Sequence, residues 1–181
     1  MNLLDDSLSA DLAAAGRLTD DMTRRFLELS AYAVSTGADA ILFTCSAFGP
    51  CIEACAAKYP NIPVLKPNEA MIEEAAGMAR VGLLATFAPT LASMPREFPQ
   101  GMAVVTKLAD GALAALDRGD AEEHDRLAAM AAGDLRDCDA IALAQFSLAR
   151  AAAAVAAATG RRVLTTPDCA VRKLQRLLQA S

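Results

Sequence analysis

The stretch Ala38-Asp39-Ala40-Ile41-Leu42-Phe43-Thr44-Cys45-Ser46-Ala47-Phe48-Gly49-Pro50 decides the fold of this chain. Its first seven residues form a short run with branched and aromatic side chains at its centre. Runs of this kind, apolar without alternation, mark strands covered on both faces, as in parallel sheets. Upstream, Gly37 stops a helical stretch over residues 20–36, for which Thr19 is the N-cap and Asp20 and Asp21 suit the first turn. Downstream, a second helical stretch covers 49–59, with Pro50 at a first-turn position where its missing N–H is no loss. Helix, strand and helix follow one another here with short connections.

Outward from this segment the alternation repeats. Residues 62–65, 80–86, 103–107, 140–144 and 162–165 read as further strands. Residues 7–15, 67–79, 89–97, 109–118, 121–135, 148–159 and 168–178 read as helices, with a break expected at Pro95. Six strands alternating with helices predict an α/β fold with a mostly parallel sheet and helices on both faces. In such sheets ligands bind beyond the carboxyl ends of the strands.

The length of 181 residues suits one domain or two small lobes. A formal net charge of −5 leaves no basic stripe, which argues against nucleic-acid binding. The absence of Trp and scarcity of other aromatics argue against stacking platforms for bases or sugars. The acidic start is unlike a signal peptide, and the longest apolar stretch, 151–158, is too short to span a bilayer, so a cytoplasmic protein without membrane contact is expected. Five cysteines in that setting predict free thiols. No dinucleotide fingerprint, phosphate loop or serine-nucleophile elbow is present.

The strand ends carry the chemistry. Cys45 lies where a strand gives way to a helix N-terminus, whose unpaired N–H groups and dipole favour anions and thiolates. Thr44 and Ser46 add hydroxyls suited to a carboxylate, and Ala47 completes the turn. The same residues also fit a plainer role for Cys45, a small buried cysteine between turn residues. Thr86 ends the strand at 80–86, and Thr90 lies just beyond it. Gln145 and Ser147 follow the strand at 140–144, and Thr166 follows the last strand. Cys51 and Cys55 share a helix face. A metal site with Cys45 is disfavoured, because zinc sites use paired short spacings and usually His. The one histidine, His124, sits in the charged run Glu122-Glu123-His124-Asp125-Arg126 and is expected on a solvated face. Cys138 is expected to be structural, and Cys169, in a first helical turn, is open to either role. Phe43, Phe48, Phe87 and Phe146 flank the strand ends, with core packing as their plainer role.

These segments resemble the aspartate/glutamate/hydantoin racemase superfamily over nearly the whole chain. The most specific matches are Thr44-Cys45-Ser46-Ala47-Phe48-Gly49, Val81-Gly82-Leu83-Leu84-Ala85-Thr86, Pro89-Thr90-Leu91-Ala92-Ser93 and Leu164-Thr165-Thr166-Pro167. The resemblance implies two pseudo-symmetric Rossmann-like lobes, 1–78 plus 162–181 and 79–161, with the active site between them. It also implies cofactor-independent chemistry without a metal, in which one cysteine per lobe flanks the α-carbon of a small carboxylate. Cys45 looks like the first-lobe cysteine. Thr86 and Thr90 match hydroxyl positions that help bind the carboxylate, and Asp5-Asp6-Ser7-Leu8 matches an element near the cleft, which brings Ser7 into the candidate site.

Two departures from the family pattern shape the expectation. Gln145 stands where the second cysteine is expected, and an amide is neither acid nor base near neutral pH. The chain also begins about one βα unit later than the family pattern, so the first lobe is expected to lack its first strand and to expose a sheet edge. The resemblance then implies an amino-acid or hydantoin racemase-like enzyme with Cys45 as base or nucleophile. The alternatives are a single-cysteine decarboxylase, isomerase or hydrolase, or a carboxylate-binding protein without turnover. A homodimer is the expected assembly.

Overall fold

The structure is a computed structural model that describes residues 1–179. It contains six strands and nine α-helices among the described residues, and the chain divides into two compact units. One unit is Met1–Pro67 with the segment from Lys173 onward, and the other is Asn68–Arg172.

The first unit is built from α1 (Ser7–Ala15), α2 (Asp20–Ser35), β1 (Ile41–Leu42), α3 (Gly49–Lys58) and β2 (Val64–Leu65). Thr19 caps α2 as its sequence position predicts, its hydroxyl accepting the Met22 N–H at 3.3 Å. β1 and β2 pair in parallel, with the Ile41 N–H donating to Pro63 O at 2.8 Å and the Phe43 N–H to Leu65 O at 3.1 Å. The unit's sheet has these two strands. Ile41, Leu42 and Phe43 are therefore half-buried, whereas the apolar run predicted a strand covered on both faces. The core of the unit lies between α2 and α3, where Met22, Phe26, Phe48, Cys51, Ile52 and Cys55 pack together.

The second unit carries α4 (Glu69–Ala75), β3 (Arg80–Ala85), α5 (Ala88–Ser93), β4 (Ala103–Leu108), α6 (Ala112–Asp117), α7 (Ala121–Ala132), β5 (Ala140–Leu143), α8 (Ala152–Thr159), β6 (Arg162–Thr165) and the start of α9 (Thr166–Gln179). Its four strands are all parallel, in the order β4-β3-β5-β6. β6 is hydrogen-bonded to β5 in this sheet, whereas the family resemblance places residues 162–165 in the first lobe. β3 and β5 are central, and every residue of β5 and all but the first of β3 are buried. That matches their unbroken apolar runs. The expected break at Pro95 appears as a change from α5 to a 3₁₀ turn over Met94–Glu97. Alanines at 109, 112, 128, 132 and 151 let α6, α7 and the segment after β5 approach the core closely. Gly82 serves the same end within β3, since a Cβ there would lie 2.9 Å from Leu135 Cβ.

Candidate active site

In the first unit, β1 runs out into Cys45, which keeps an extended backbone (φ −125°, ψ 118°) and precedes a 3₁₀ turn at Ser46–Phe48 that leads into α3. The turn is pinned by Phe48, which is buried and stacks near Phe26 with ring centroids 5.1 Å apart. Phe43 packs on the same ring at 5.2 Å. Thr44, Cys45, Ser46 and Ala47 are left exposed above this aromatic base. Cys45 lines a cavity of about 380 Å³, whose apolar wall includes Leu3, Leu4, Phe26, Phe43 and Phe48.

Cys45 is the exposed cysteine, and Cys51, Cys55, Cys138 and Cys169 are buried. Cys51 and Cys55 do share a face of α3, turned into the core, and Cys51 Sγ lies 3.4 Å from the Thr23 hydroxyl. Burial pushes the Cys55 thiol up, against a smaller opposing effect of Ser30. Among the described residues no three His, Cys, Asp or Glu side chains group as metal ligands would. Ser7 is exposed, and its hydroxyl is engaged locally, donating to Asp5 Oδ1 at 2.9 Å and accepting from Arg25. Arg25 also binds Asp5 through Nε at 3.0 Å, and it holds the Asp5 carboxyl below the usual range.

In the second unit the strand order reverses between β3 and β5. The chain moves from β3 outward to β4, then crosses back to β5 and on to β6. In open parallel sheets the space beyond the carboxyl ends of two such strands is where ligands bind, because the following connections part to opposite faces. Thr86 follows β3 at that point and Gln145 follows β5 closely. The two are tied together. The Thr86 N–H donates to Gln145 Oε1 at 3.2 Å, and Gln145 Nε2 donates to Thr90 Oγ1, in the first turns of α5, at 3.3 Å. Thr86 is buried, Thr90 and Gln145 are half-buried, and Ser147 is exposed. Three of the residues singled out from the sequence are thus joined in one hydrogen-bonded group.

The end of β6 is closed differently. Thr165 Oγ1 donates to Asp168 Oδ2 at 2.7 Å and accepts the Asp168 N–H at 3.2 Å, a reciprocal cap on α9. Thr166 is fully buried, and its hydroxyl has no partner among the described residues. Cys169 is buried beside Glu74 and Arg172. Burial first, then the Glu74 charge, pushes its thiol up to about 11, so it stays protonated at neutral pH.

His124 departs from its sequence expectation. The charged run around it predicts a solvated face, yet its side chain is fully buried. The reason is the helical period: His124, Ala128 and Ala132 fall at i, i+4 and i+8 and form the buried stripe of α7, while the neighbouring charges take the outer face. His124 Nδ1 lies 2.8 Å from Asp125 Oδ1. Burial opposes ionisation of Asp125, but Arg150, at 2.9 Å, and His124 outweigh it and hold the carboxyl low. The carboxylate therefore accepts, and His124 Nδ1 carries the proton. Arg150 belongs to the 3₁₀ segment Ser147–Ala151 just after Gln145, so this chain of contacts anchors that segment on α7.

The sequence profile of the Asp/Glu/hydantoin racemase family matches residues 6–174. The chain belongs to that family. No curated protein sequence matches it. Among solved structures, glutamate racemase from Thermus thermophilus is similar with a TM-score of 0.66 and 21% identity, over 91% of this chain and 68% of that one. Allantoin racemase from Klebsiella pneumoniae gives a TM-score of 0.60 and 19% identity, over 88% and 67%. Arylmalonate decarboxylase gives 0.62 and 18%, over 88% and 78%. At these identities the likeness is one of fold. The chain thus spans about two thirds of the length of the two racemases, and its α/β architecture with parallel sheets is that of the racemase family. No helix among the described residues is long and apolar enough to cross a membrane.

Proposed function

We propose that this member of the racemase family is a cofactor-independent enzyme that acts at the carbon next to the carboxylate of a small acid, with Cys45 as its base or nucleophile. The observation that supports this best is the contrast among the thiols: Cys45 is exposed beside a cavity at the end of a strand, and the other four are buried. A thiolate there takes the α-proton, and the electron pair left on carbon passes into the carboxylate. The family resemblance supports Thr86 and Thr90 as carboxylate contacts, with the hydroxyls of Thr44, Ser46 and Ser147 and the backbone N–H of Ala47 as further substrate contacts. Ser7, whose hydroxyl is engaged by Asp5 and Arg25, and Thr166, which is fully buried, belong to the same proposed set of substrate-binding residues.

Gln145 replaces the second cysteine, so no second thiol delivers a proton to the opposite face. Cys45 then returns the proton to the face from which it came. The reading therefore favours exchange of the α-proton with little loss of configuration, or a one-face reaction such as decarboxylation, over rapid racemisation. A cytoplasmic homodimer is part of the same proposal. Light scattering tests the assembly and cell fractionation the location.

Proton NMR in D₂O decides the chemistry. The panel is L-aspartate, L-glutamate, a 5-substituted hydantoin, maleate and phenylmalonate, with Cys45→Ser as control. Loss of an α-proton signal or appearance of a deuterated product with the unmutated protein alone is expected. An unchanged panel, or equal change with Cys45→Ser, would remove Cys45 from the chemistry and leave the carboxylate-binding reading.

A further inference from the structure

The amide at the strand switch point has a fixed polarity. A backbone N–H only donates, so the Gln145 atom 3.2 Å from Thr86 N is the carbonyl oxygen. That leaves Nε2 as the atom 3.3 Å from Thr90 Oγ1, and Nε2 only donates. Thr90 Oγ1 is therefore an acceptor toward Gln145, and its own hydrogen is turned away from the amide. The opposite rotamer of the amide would set two donors against each other at Thr86. One backbone N–H thus determines, through two hydrogen bonds, which way a threonine hydroxyl donates.

We propose that Gln145 is a positioning residue that presets the Thr90 hydroxyl as a hydrogen-bond donor and so makes this end of the sheet selective for a small carboxylate over a neutral analogue. The inference rests on the reading of Thr90 as a carboxylate contact. It also accounts for the chemical type at position 145. Glutamine is uncharged and does not repel an anion. Glutamate, of the same length, accepts from both the Thr86 N–H and the Thr90 O–H, which draws the Thr90 hydrogen inward and places a negative charge beside it. Methionine keeps the length and directs neither group.

The test is an amide NMR titration of the full chain with L-aspartate, succinate and phenylmalonate, and with succinamide as the neutral control. Saturable shifts at Thr86 and Thr90 are expected with at least one carboxylate and not with succinamide. Gln145→Glu should weaken that binding by about tenfold or more while keeping the melting temperature, since it still accepts the Thr86 N–H. Thr90→Val should weaken it similarly and Thr90→Ser should retain it. A purely structural brace predicts a different pattern, in which Gln145→Met loses both stability and binding and Gln145→Glu loses neither. That pattern would overturn the proposal, as would the lack of any saturable shift at Thr86 and Thr90. If Gln145→Glu does not fold, Thr90→Val against Thr90→Ser carries the same comparison. Saturable binding without turnover would sink the enzyme reading and leave this inference standing. Turnover and binding unchanged in Gln145→Glu would do the reverse.

Discussion

Asp139 and Arg80 are hydrogen-bonded to each other in both directions. The Asp139 N–H donates to Arg80 O at 2.8 Å, and Asp139 Oδ2 accepts the Arg80 N–H at 2.9 Å and the Ala79 N–H at 2.9 Å. The contact sits at the amino ends of β3 and β5 and fixes the register that, at the other end, brings Gln145 beside Thr86. Replacing Asp139 by Ala leaves the Ala79 and Arg80 N–H groups without this acceptor. A loss of about 1–2 kcal/mol is expected, and Asn, which keeps the oxygen, should lose less. Urea denaturation of the two variants checks both values, and equal stability of Asp139→Ala and the unmutated chain would refute the register role.

Gly82 faces a wall. An added Cβ would lie 2.9 Å from Leu135 Cβ, 3.0 Å from Cδ1 and 3.2 Å from Cγ, and Leu135 is buried. The nearest atom is the one next to the backbone, so a rotamer change gives no relief. Gly82→Ala should cost about 1–3 kcal/mol through overpacking. Combining it with Leu135→Ala removes the Cγ and Cδ1 contacts but keeps the Cβ contact at 2.9 Å, so the double variant should be more stable than the sum of the two losses predicts while recovering only part of the Gly82→Ala cost. Additive losses in the cycle would rule out the contact as the cause.

The Glu74 carboxylate joins two arginines, with Arg172 Nε at 2.9 Å and Arg162 at 3.0 Å, and is itself mostly buried. Hydrogen bonding to Arg172 first, against some desolvation, holds its carboxyl below the usual value of 4.5. A carboxyl whose folded value is depressed binds protons more readily in the unfolded chain. Its stabilising effect is present above the unfolded value and is lost as pH falls through the folded one. Stability of the unmutated chain should therefore drop below about pH 4.5 more steeply than that of Glu74→Gln, which starts about 1 kcal/mol lower at pH 7. Denaturation midpoints from pH 7 to pH 3 give the two curves. Parallel curves would show that Glu74 is not a source of the acid sensitivity.

Thiol labelling separates the cysteines. Cys45 is exposed and the other four are buried, with Cys169 held protonated at neutral pH by its value of about 11. Iodoacetamide at pH 7.5 should modify one thiol quickly and the remainder only on the timescale of opening. Peptide mass spectrometry should place the fast label on Cys45, and Cys45→Ser should remove it. A second fast site would show that the packing around α3, α9 or the segment before β5 opens more readily than its burial implies.

Much of the fold was legible because local pattern and tertiary role agree. The runs at 80–86 and 140–144 are apolar throughout, and β3 and β5 are the central, covered strands. The same rule applied to 38–44 overstates its burial, since β1 has a strand neighbour on one side only within its unit. An apolar run records what a strand is suited to, and its neighbours decide what it receives. His124 fails for a related reason. Its neighbours in sequence are charged, but its neighbours on the helix face are alanines. A count at intervals of four would have placed it in the core.

By itself, the sequence determined the alternation of strand and helix, the position of Cys45 at a strand end and the presence of an amide where the family resemblance expects a thiol. These are properties of residue type and spacing, set within one or two turns of chain. Only the tertiary structure decided that four cysteines are buried and one is not, and that Thr166 is enclosed. It also decided that the Gln145 amide is oriented by Thr86 and in turn orients Thr90. Residues 86 and 145 meet because two parallel strands with a crossover between them end side by side. No local preference encodes that contact; it arises when the hydrogen-bond register of β3 and β5 is formed.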